Sequence, residues 1–479
     1  MALYPGVDLK SWVPLPGVLL AATGAGTCMI SSEGPDQSVL IFAGATTQNY
    51  LYDPRTSDAS PVLLPTFTLA GTFGAGSTGR WHAVGPSGTA LAGSSDTLLK
   101  TNLSLLADLG PVGDEYWTGF ITGGTGAGQW FEITANTNAA GASVLSIRKP
   151  GGGPLDTALD NTSTYILYTG RYYVLNAGTV AAGSFKYFDW ATKTVSGNLV
   201  VTGLPGTWGT DGRMNVTCSV IGQKIPITAT GGSTTTIVKT GAGWSGSNFA
   251  NCCQVRCLTG PNAGLIRTVV SNTGDTITVA AFPFSVANLN TFTLEGNDDQ
   301  ILLQGNGVVT AYRYTLSTTA WSTISPVAAR AGAPVAGMQS TWVHSVSTSE
   351  WSDEKALLNL RYLFCPRGGT AIIDRFDIAG VTWASDIAYG NKAEVFASGS
   401  SASYLGDSIA VEQANTGRIV QLDLPSMSLR PLALWNVTQG AVMLGDKLAS
   451  IKYKYNGKTY RWLYKWNHSL PTVQRMFLV

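Results

Sequence analysis

Phe185-Lys-Tyr-Phe-Asp-Trp-Ala-Thr192 is an aromatic-rich run that ends in turn-forming residues, and Leu204-Pro205 follows it. Aromatic residues favour a strand, and Asp and Thr favour a turn after it. The run therefore predicts a strand, a tight turn and an antiparallel return strand. The same pattern recurs at Tyr50–Thr56, Tyr312–Trp321, Ile373–Trp383, Ile419–Pro425 and Tyr460–Trp466, with a weaker copy at Leu98–Ser104.

The spacing of these copies indicates the architecture. The later copies lie roughly 40–60 residues apart, which is the period of β-propeller blades. The pattern resembles the hairpin of a kelch-like blade. The resemblance does not extend to the whole blade, because the paired glycines of kelch repeats do not recur with it. We therefore expect an all-β, kelch-like β-propeller of about six or seven blades, with a β-sandwich array as the alternative. One short helix is expected at 352–359.

Composition argues against several classes of protein. Only 12% of the 479 residues are charged, and 30 Lys and Arg nearly balance 29 Asp and Glu. Disordered chains are highly charged, and a polybasic nucleic-acid binder needs many cations to neutralise phosphates, so both classes are disfavoured. A helical bundle would favour Ala, Leu, Glu and Lys over the 56 glycines found here. The chain has only three histidines, so catalysis or metal binding by several histidines is disfavoured.

The six cysteines form no metal motif. No C-x-x-C pair occurs and no His lies near the Cys252–Cys257 group, so we expect buried free thiols, no zinc and no cofactor. Adjacent Cys252 and Cys253 on a strand would point to opposite faces, so they would not bind one ion together.

A second repeat lies inside the first. Trp117–Ile133, continuing to Tyr165–Leu167, matches Cys253–Val269, continuing to Phe292–Leu294. Each copy consists of strand-like runs separated by a Gly-rich turn, a polar turn and a Pro-containing loop, which predicts two small inserted β-barrel- or sandwich-like modules. The predicted divisions are an N-terminal arm at 1–30, blades at 31–110, a module at 111–170, a blade at 171–231, a module at 232–296, and the remaining blades with a basic C-terminal hairpin at 297–479.

The Gly-rich turns resemble a known family. Gly124-Thr-Gly-Ala-Gly-Gln129 and Gly260-Pro-Asn-Ala-Gly264 with Arg267 resemble a small β module of bacteriophage virion and tail proteins, although Glu132 stands near the position of the Arg in the first copy. The resemblance implies a non-enzymatic structural component of the phage particle, made in the host cytoplasm, such as a tail hub, nozzle or connector-region propeller. It implies a homo-oligomeric ring and partners among portal or adaptor, tail or capsid subunits. The alternatives are a receptor- or glycan-binding tail adhesin and a capsid or collar decoration protein.

The C-terminal hairpin is one candidate interaction surface. Asn456-Gly457 is a type I′ turn signal between two strands rich in Tyr, Trp, Lys and Arg. Such a hairpin could contact phage DNA transiently by stacking bases over a positive groove. In the alternative interpretation, its aromatic face closes the last blade and its basic residues lie at an assembly surface. The basic residues are Lys452, Lys454, Lys458, Arg461 and Lys465.

Module tryptophans are the second candidate surface. The glycan-binding alternative requires Trp117, Trp130 or Trp244 to be exposed on the modules. The acidic pairs Asp114-Glu115 and Asp298-Asp299 flank the module boundaries, so we interpret them as parts of solvated linkers. A glycosidase would instead need two acids that converge in a cleft. No stretch offers ~20 apolar residues free of Gly and Pro, so no membrane-spanning segment is expected.

Overall fold

The fold is described from a computed structural model. The described residues are 13–14, 28–36, 38–42, 49–52, 62–63, 77–176, 180–205, 213–217, 224–244, 246, 248–304, 310–324, 341–342, 361–367, 372–388, 401–404, 408–413, 418–423, 428–434, 448–455, 458–467 and 472–478.

Short antiparallel strands make up the first part of the chain. β1 (Val13–Pro14) precedes a four-stranded sheet whose strands follow one another in chain order. That sheet comprises β2 (Cys28–Ser31), β3 (Val39–Phe42), β4 (Asn49–Tyr52) and β5 (Val62–Leu63). The apolar run Val-Leu-Ile-Phe of β3 is buried throughout, as expected for a strand whose sheet is covered on both faces.

The second four-stranded sheet is interrupted by an insert after its first strand, β6 (Thr78–His82). The insert comprises β7 (Ser87–Thr89), β8 (Leu98–Lys100), β9 (Trp117–Gly123), β10 (Trp130–Asn136), β11 (Val144–Arg148) and β12 (Thr164–Tyr168). The sheet then resumes with β13 (Arg171–Leu175), β14 (Phe185–Asp189) and β15 (Thr194–Val195). We call the insert, residues 87–168, module 1.

The third four-stranded sheet is interrupted in the same way, after β16 (Arg213–Val216). Its insert comprises β17 (Ile225–Thr228), β18 (Gly231–Gly232), β19 (Thr236–Val238), β20 (Cys253–Cys257), β21 (Ile266–Asn272), β22 (Thr276–Val279) and β23 (Thr291–Gly296). The sheet resumes with β24 (Gln300–Gln304), β25 (Ala311–Thr315) and β26 (Ala320–Ile324). We call this insert, residues 225–296, module 2.

Three further sheets complete the chain. The fourth comprises β27 (Thr341–Trp342), β28 (Tyr362–Arg367), β29 (Ile372–Asp377) and β30 (Thr382–Ala388). The fifth comprises β31 (Ser401–Tyr404), β32 (Ser408–Gln413), β33 (Arg418–Asp423) and β34 (Ser428–Leu434). The last comprises β35 (Leu448–Tyr455), β36 (Lys458–Asn467) and β37 (Thr472–Leu478), with β1 as its fourth strand.

The sheets are arranged as the blades of a propeller. Among the described residues there are six four-stranded sheets, and their first strands contact one another in turn: β2, β6, β16, β27, β31 and β35, which contacts β2 again. Val13 pairs with Arg475 and Pro14 with Gln474, so a strand from the beginning of the chain completes the last blade. The predicted all-β propeller is confirmed, and the segment expected to be an arm supplies both β1 and the start of the first blade.

The recurring aromatic pattern marks the outer half of most blades. In the first five blades it starts within the third strand, as in β14, and in the third and fourth blades it extends into the fourth strand, as in β30. Two copies differ. The segment Leu98–Ser104 contains β8, which belongs to module 1, and Tyr460–Trp466 lies in β36, the second strand of its blade. The expected helix at 352–359 lies outside the described residues. No helix in the described part of the chain has the length and apolar character to cross a membrane.

Two apolar clusters form the core of the part of the chain that the structure describes. One joins the first three blades to module 1, and it contains Trp81 of β6 and Phe120 of β9. The other joins module 2 to the third and fourth blades, and it contains Val255 of β20 and Phe376 of β29. Each module therefore shares its apolar interior with the propeller beneath it.

Candidate functional site

The two modules have the same internal structure. Their sheets run in the equivalent orders β7-β12-β9-β10-β11-β8 and β17-β23-β20-β21-β22-β19-β18. A bulge falls between Ile133 and Ala135 in module 1 and between Val269 and Ser271, at the equivalent position, in module 2. Both sheets begin earlier than the predicted boundaries at 111 and 232, because β7 and β17 pair with the closing strands β12 and β23.

Both modules leave the same face of the ring. Each is inserted between the first and second strands of its blade, module 1 after β6 and module 2 after β16. Successive strands of a blade are antiparallel, and the first strands of all blades run in the same direction along the propeller axis. The connections that follow first strands therefore emerge on one face, where the neighbouring second and third blades bring the two modules together.

The Gly-rich turns of the modules contact each other reciprocally. In each module the last glycine of the turn donates its N–H to a strand carbonyl at 2.9 Å, Gly128 to Ile121 and Gly264 to Cys257. A Cβ placed on Gly128 would overlap the carbonyl oxygen of Leu258 in module 2, and one on Gly264 would overlap that of Thr122 in module 1. Because Thr122 and Leu258 are equivalent positions, the contact is isologous, and the modules are related by a pseudo-twofold axis.

Arg256 of β20 extends from module 2 into module 1. Its side chain is fully buried, and its guanidinium lies 4.3 Å from the ring centroid of Phe120 and 4.5 Å from that of Trp130. Its Nη2 donates a hydrogen bond to the hydroxyl of Tyr168 at 2.5 Å. We call Phe120, Trp130 and Tyr168 the aromatic box. A cation against aromatic faces is a favourable contact, and more so when it is removed from water.

Two carboxylates at the base of module 2 pair with Arg256. Its Nε donates to Glu295 Oε1 at 2.8 Å, and its Nη2 donates to Asp298 Oδ2 at 3.0 Å. Gln254 donates to the same two oxygens at 3.0 and 2.9 Å, and Tyr168 donates its hydroxyl to Asp298 at 3.0 Å. The network is buried, so removing one partner would leave an uncompensated charge in the interior.

The pKa values of this region follow from burial and pairing. Burial alone would lower the pKa of Arg256, but the attraction of Glu295 raises it above its ordinary value, so the guanidinium stays charged. Burial raises the pKa of Tyr168 well above its usual range, so the hydroxyl stays neutral. Burial lowers the pKa of His82 to about 4, with the attraction of Asp298 as a smaller opposing effect. These three groups therefore keep one protonation state near pH 7, which suits a structural cluster.

The network was not predicted from the sequence. In the sheet register Tyr168 lies opposite Thr118, and Glu295 lies opposite Gln254, which is the equivalent of Thr118. Tyr168 and Glu295 are thus equivalent positions, as are Phe120 and Arg256. Aligning the two repeat copies would have revealed these substitutions of a charge for an aromatic residue. The expectation that Asp298 lies in a solvated linker is wrong, because it is only 7% exposed.

The module tryptophans are less accessible than the glycan-binding alternative requires. Trp117 is 1% exposed, and its ring lies against Gly34 in the loop between β2 and β3. Trp244 is 8% exposed and packs edge-on against Phe249. Trp117 and Trp244 therefore do not have the exposure that the glycan-binding alternative requires. Trp130 is half-buried between Arg256 and Lys224, whose Nζ lies 3.4 Å from its ring centroid.

The predicted basic hairpin forms as β35 and β36 of the last blade. In its register Lys452 lies opposite Arg461, and Lys465 lies opposite Leu448. Lys458 begins β36, and Lys454 lies opposite Thr459. Leu463, between the basic positions of β36, is fully buried. The surroundings of the basic side chains lie outside the described part of the structure, so their role as an interaction surface stays a prediction.

The thiols of Cys252 and Cys253 are close together. Their Sγ atoms lie 3.7 Å apart, so the expectation that they point to opposite faces is wrong. Cys252 precedes β20 and follows Asn251, whose φ is 63°, so strand alternation does not apply to it. Among the described residues, Cys252, Cys253 and Cys257 are free and buried, and Cys28 is buried as well. Within the described residues, no group of three or more His, Cys, Asp or Glu side chains is placed to hold a metal ion.

Comparisons with known proteins add little to this description. No family model and no curated protein matches the sequence. Among solved structures, the chain is similar to selenomethionine-substituted virginiamycin B lyase from Staphylococcus aureus, with a TM-score of 0.37 and 9% identity over 98% of this chain and 99% of that chain. A catalytically inactive variant of virginiamycin B lyase from Staphylococcus aureus, with quinupristin, gives a TM-score of 0.34 and 7% identity over 98% and 100%.

Proposed function

We propose that the protein is a non-enzymatic structural component of a bacteriophage virion, a propeller subunit of the tail hub, nozzle or connector region. The proposal begins from the resemblance of the two Gly-rich turns to a virion module. The observation that supports it best is that both modules leave one face of the propeller and are joined there through the buried Arg256 network.

Such a subunit has two different ends. One face of the ring bears the module pair, whose packing on the propeller includes the contact of Trp117 with Gly34. A component that stacks along a tail axis needs chemically distinct ends, so that each end accepts a different neighbour. We accordingly propose portal or adaptor, tail or capsid subunits as its partners, in a homo-oligomeric ring.

The chemistry of the described charged cluster is consistent with this role. Arg256 pairs with Glu295 at 2.7 Å and with Asp298 at 3.0 Å in the interior. Perturbed, buried titratable groups often mark active sites, but structural ion-pair networks perturb them as well. Here the carboxylates accept hydrogen bonds from Arg256, Gln254 and Tyr168, so their charge is used in joining the modules.

The proposal is tested on particles released by cells that carry the gene. Gradient-purified particles would be analysed by quantitative mass spectrometry and labelled with an antibody against the protein. The expected result is a fixed copy number per particle and label confined to the tail or its junction with the capsid. Absence of the protein from purified particles would contradict the proposal.

A receptor- or glycan-binding role is the second candidate, and one observation favours it. Phe284 and Leu289, in the loop between β22 and β23, are 55% and 71% exposed. Leu289 also has a φ of 68°, a conformation that is uncommon for a bulky residue. If this loop binds host envelope material, Phe284→Ser with Leu289→Ser should lower adsorption to host cells at least about tenfold. Unchanged adsorption would exclude this loop as the receptor contact.

Transient contact of the C-terminal hairpin with phage DNA is a separate proposal. It rests on the placement of Lys452 and Lys454 on β35, the first strand of its blade. Replacing Lys452, Lys454 and Lys458 with Ala should reduce retention of DNA in the particle. Unchanged retention would contradict it.

A further inference from the structure

We propose that Arg256 and the aromatic box form a heterotypic recognition pair, in which a module with a buried cation accepts as its partner a module with aromatic residues at the equivalent positions. The inference concerns the interface between the modules and does not depend on the role proposed for the whole protein.

The first step is the pseudo-twofold relation. Gly128 lies against Leu258, and Gly264 lies against Thr122, so each module presents the same backbone surface to the other. An isologous surface is self-complementary by construction. On backbone shape alone, a module could therefore pair with a second copy of itself as well as with the other module.

The second step is the set of side chains that face one another across this axis. Phe120 and Arg256 occupy equivalent positions, and they contact each other, with the guanidinium 4.3 Å from the ring centroid. Near this contact, Tyr168 of module 1 and Glu295 of module 2 are also equivalent. The backbone surfaces are thus alike, whereas the central side chains are complementary.

The possible module pairs differ in the charges and hydrogen bonds at their centre. Two copies of module 2 would place one buried Arg256 against another, a like-charge contact that disfavours the pair. Two copies of module 1 would leave the Tyr168 hydroxyl without Arg256 and Asp298, its two hydrogen-bond partners here. Only the mixed pair supplies both a cation for the aromatic faces and a donor for the carboxylates. The kind of partner that fits each surface is therefore a module of the other type.

The pseudo-twofold symmetry predicts the effect of exchanging the residues at positions 120 and 256. Arg256 bonds Glu295 of its own module and Tyr168 of the other. An arginine at position 120 would, by symmetry, reach Tyr168 of its own module and Glu295 of the other. Exchanging the two residues should therefore preserve the pair, although each single substitution breaks it.

The experiment compares four full-length chains by chemical denaturation: wild type, Phe120→Arg, Arg256→Phe and the double exchange. Each single variant should lower the equilibrium constant for folding at least about 100-fold, because charges are left unpaired or opposed in the interior. The double exchange should recover at least about tenfold relative to either single variant. The control Arg267→Phe changes an arginine that stacks on Phe282 within module 2, and it should change the constant less than about fivefold.

The outcomes decide the proposal in either case. A double exchange more stable than both single variants supports heterotypic recognition. A double exchange no more stable than the more stable of the two single variants overturns it. If both single variants fail to fold, a folded double exchange supports the proposal, and an unfolded one contradicts it.

Discussion

Gly264 of module 2 packs so closely on the backbone of Thr122 in module 1 that a Cβ at Gly264 would overlap the Thr122 carbonyl oxygen. The reciprocal contact joins Gly128 to Leu258. Both glycines also have positive φ, 91° at Gly128 and 88° at Gly264. Each position therefore requires glycine for two reasons, the backbone conformation and the close contact with the other module.

Alanine substitutions separate these two requirements. Gly141 and Gly241 also have positive φ, 69° and 75°, but a Cβ there would meet none of the described atoms within 4 Å. Gly141→Ala and Gly241→Ala should cost about 1–2 kcal/mol each from the backbone conformation alone. Gly128→Ala and Gly264→Ala should cost at least about 2 kcal/mol more, because the modules must also move apart. Thermal and chemical denaturation of the four variants measure the difference, and equal costs would show that the modules do not touch at these turns.

The buried charge of Arg256 should be far more important to stability than that of an arginine nearer the surface. Arg256→Met removes the cation that pairs with Glu295 and Asp298 in the interior, so the free energy of unfolding should fall by about 3–5 kcal/mol. The matched control is Arg148→Met in module 1, whose partner Glu132 lies 2.8 Å away at a partly exposed site. That change should cost far less, because an ion pair at a solvent-exposed site contributes little to stability. Similar costs for the two variants would contradict the description of the network.

His82 should make stability depend on pH in the acidic range. Burial lowers its pKa in the folded protein from the ordinary 6.5 to about 4, so the unfolded chain binds a proton more readily. Its contribution to stability is therefore complete above about pH 6.5 and is lost as the pH falls towards 4, by up to about 3 kcal/mol.

The control for this pH effect is His82→Asn, which cannot titrate and retains an acceptor for the N–H of Val84, a contact that His82 Nδ1 now makes at 3.2 Å. The difference in free energy of unfolding between wild type and variant should shift between pH 6.5 and pH 4. A difference that is constant over this range would show that His82 is not buried in its neutral form.

β1 should be required to complete the last blade. Without the pairing of Val13 with Arg475, β37 would become an unpaired edge strand, which lowers stability and favours aggregation. Removal of residues 1–14 should lower the thermal midpoint by several degrees and increase light scattering. Removal of residues 1–10, which leaves β1 in place, should do neither, and identical behaviour of the two truncations would contradict this closure.

The propeller could be predicted from the sequence because its blades repeat a local signal. Strand-forming aromatic runs followed by turn residues, as at Phe185–Thr192, depend on short-range preferences and recur with a blade-like period. The Gly-rich turns of the modules were likewise visible, since Gly128 and Gly264 recur in matching surroundings.

The candidate site could not be predicted in the same way, because it depends on contacts between distant segments. Arg256 and Phe120 meet only after the two inserts are placed side by side on the ring. The burial of Trp117 depends on a loop of the first blade, far from it in sequence. Composition describes the few charges of this chain as balanced, but it does not indicate that Asp298 is buried beside an arginine from another strand.

The contact of Arg256 with the aromatic box joins the two modules, and a double-mutant cycle measures the energy of that contact. The cycle combines Trp130→Leu with Arg256→Met. In the wild type the Arg256 guanidinium lies 4.5 Å from the centroid of the Trp130 ring. Chemical denaturation of the wild type, both single variants and the double variant gives the coupling energy. We predict a favourable coupling of about 0.5–3 kcal/mol between the two residues. Additive effects, with a coupling of zero within error, would show that this contact does not join the modules.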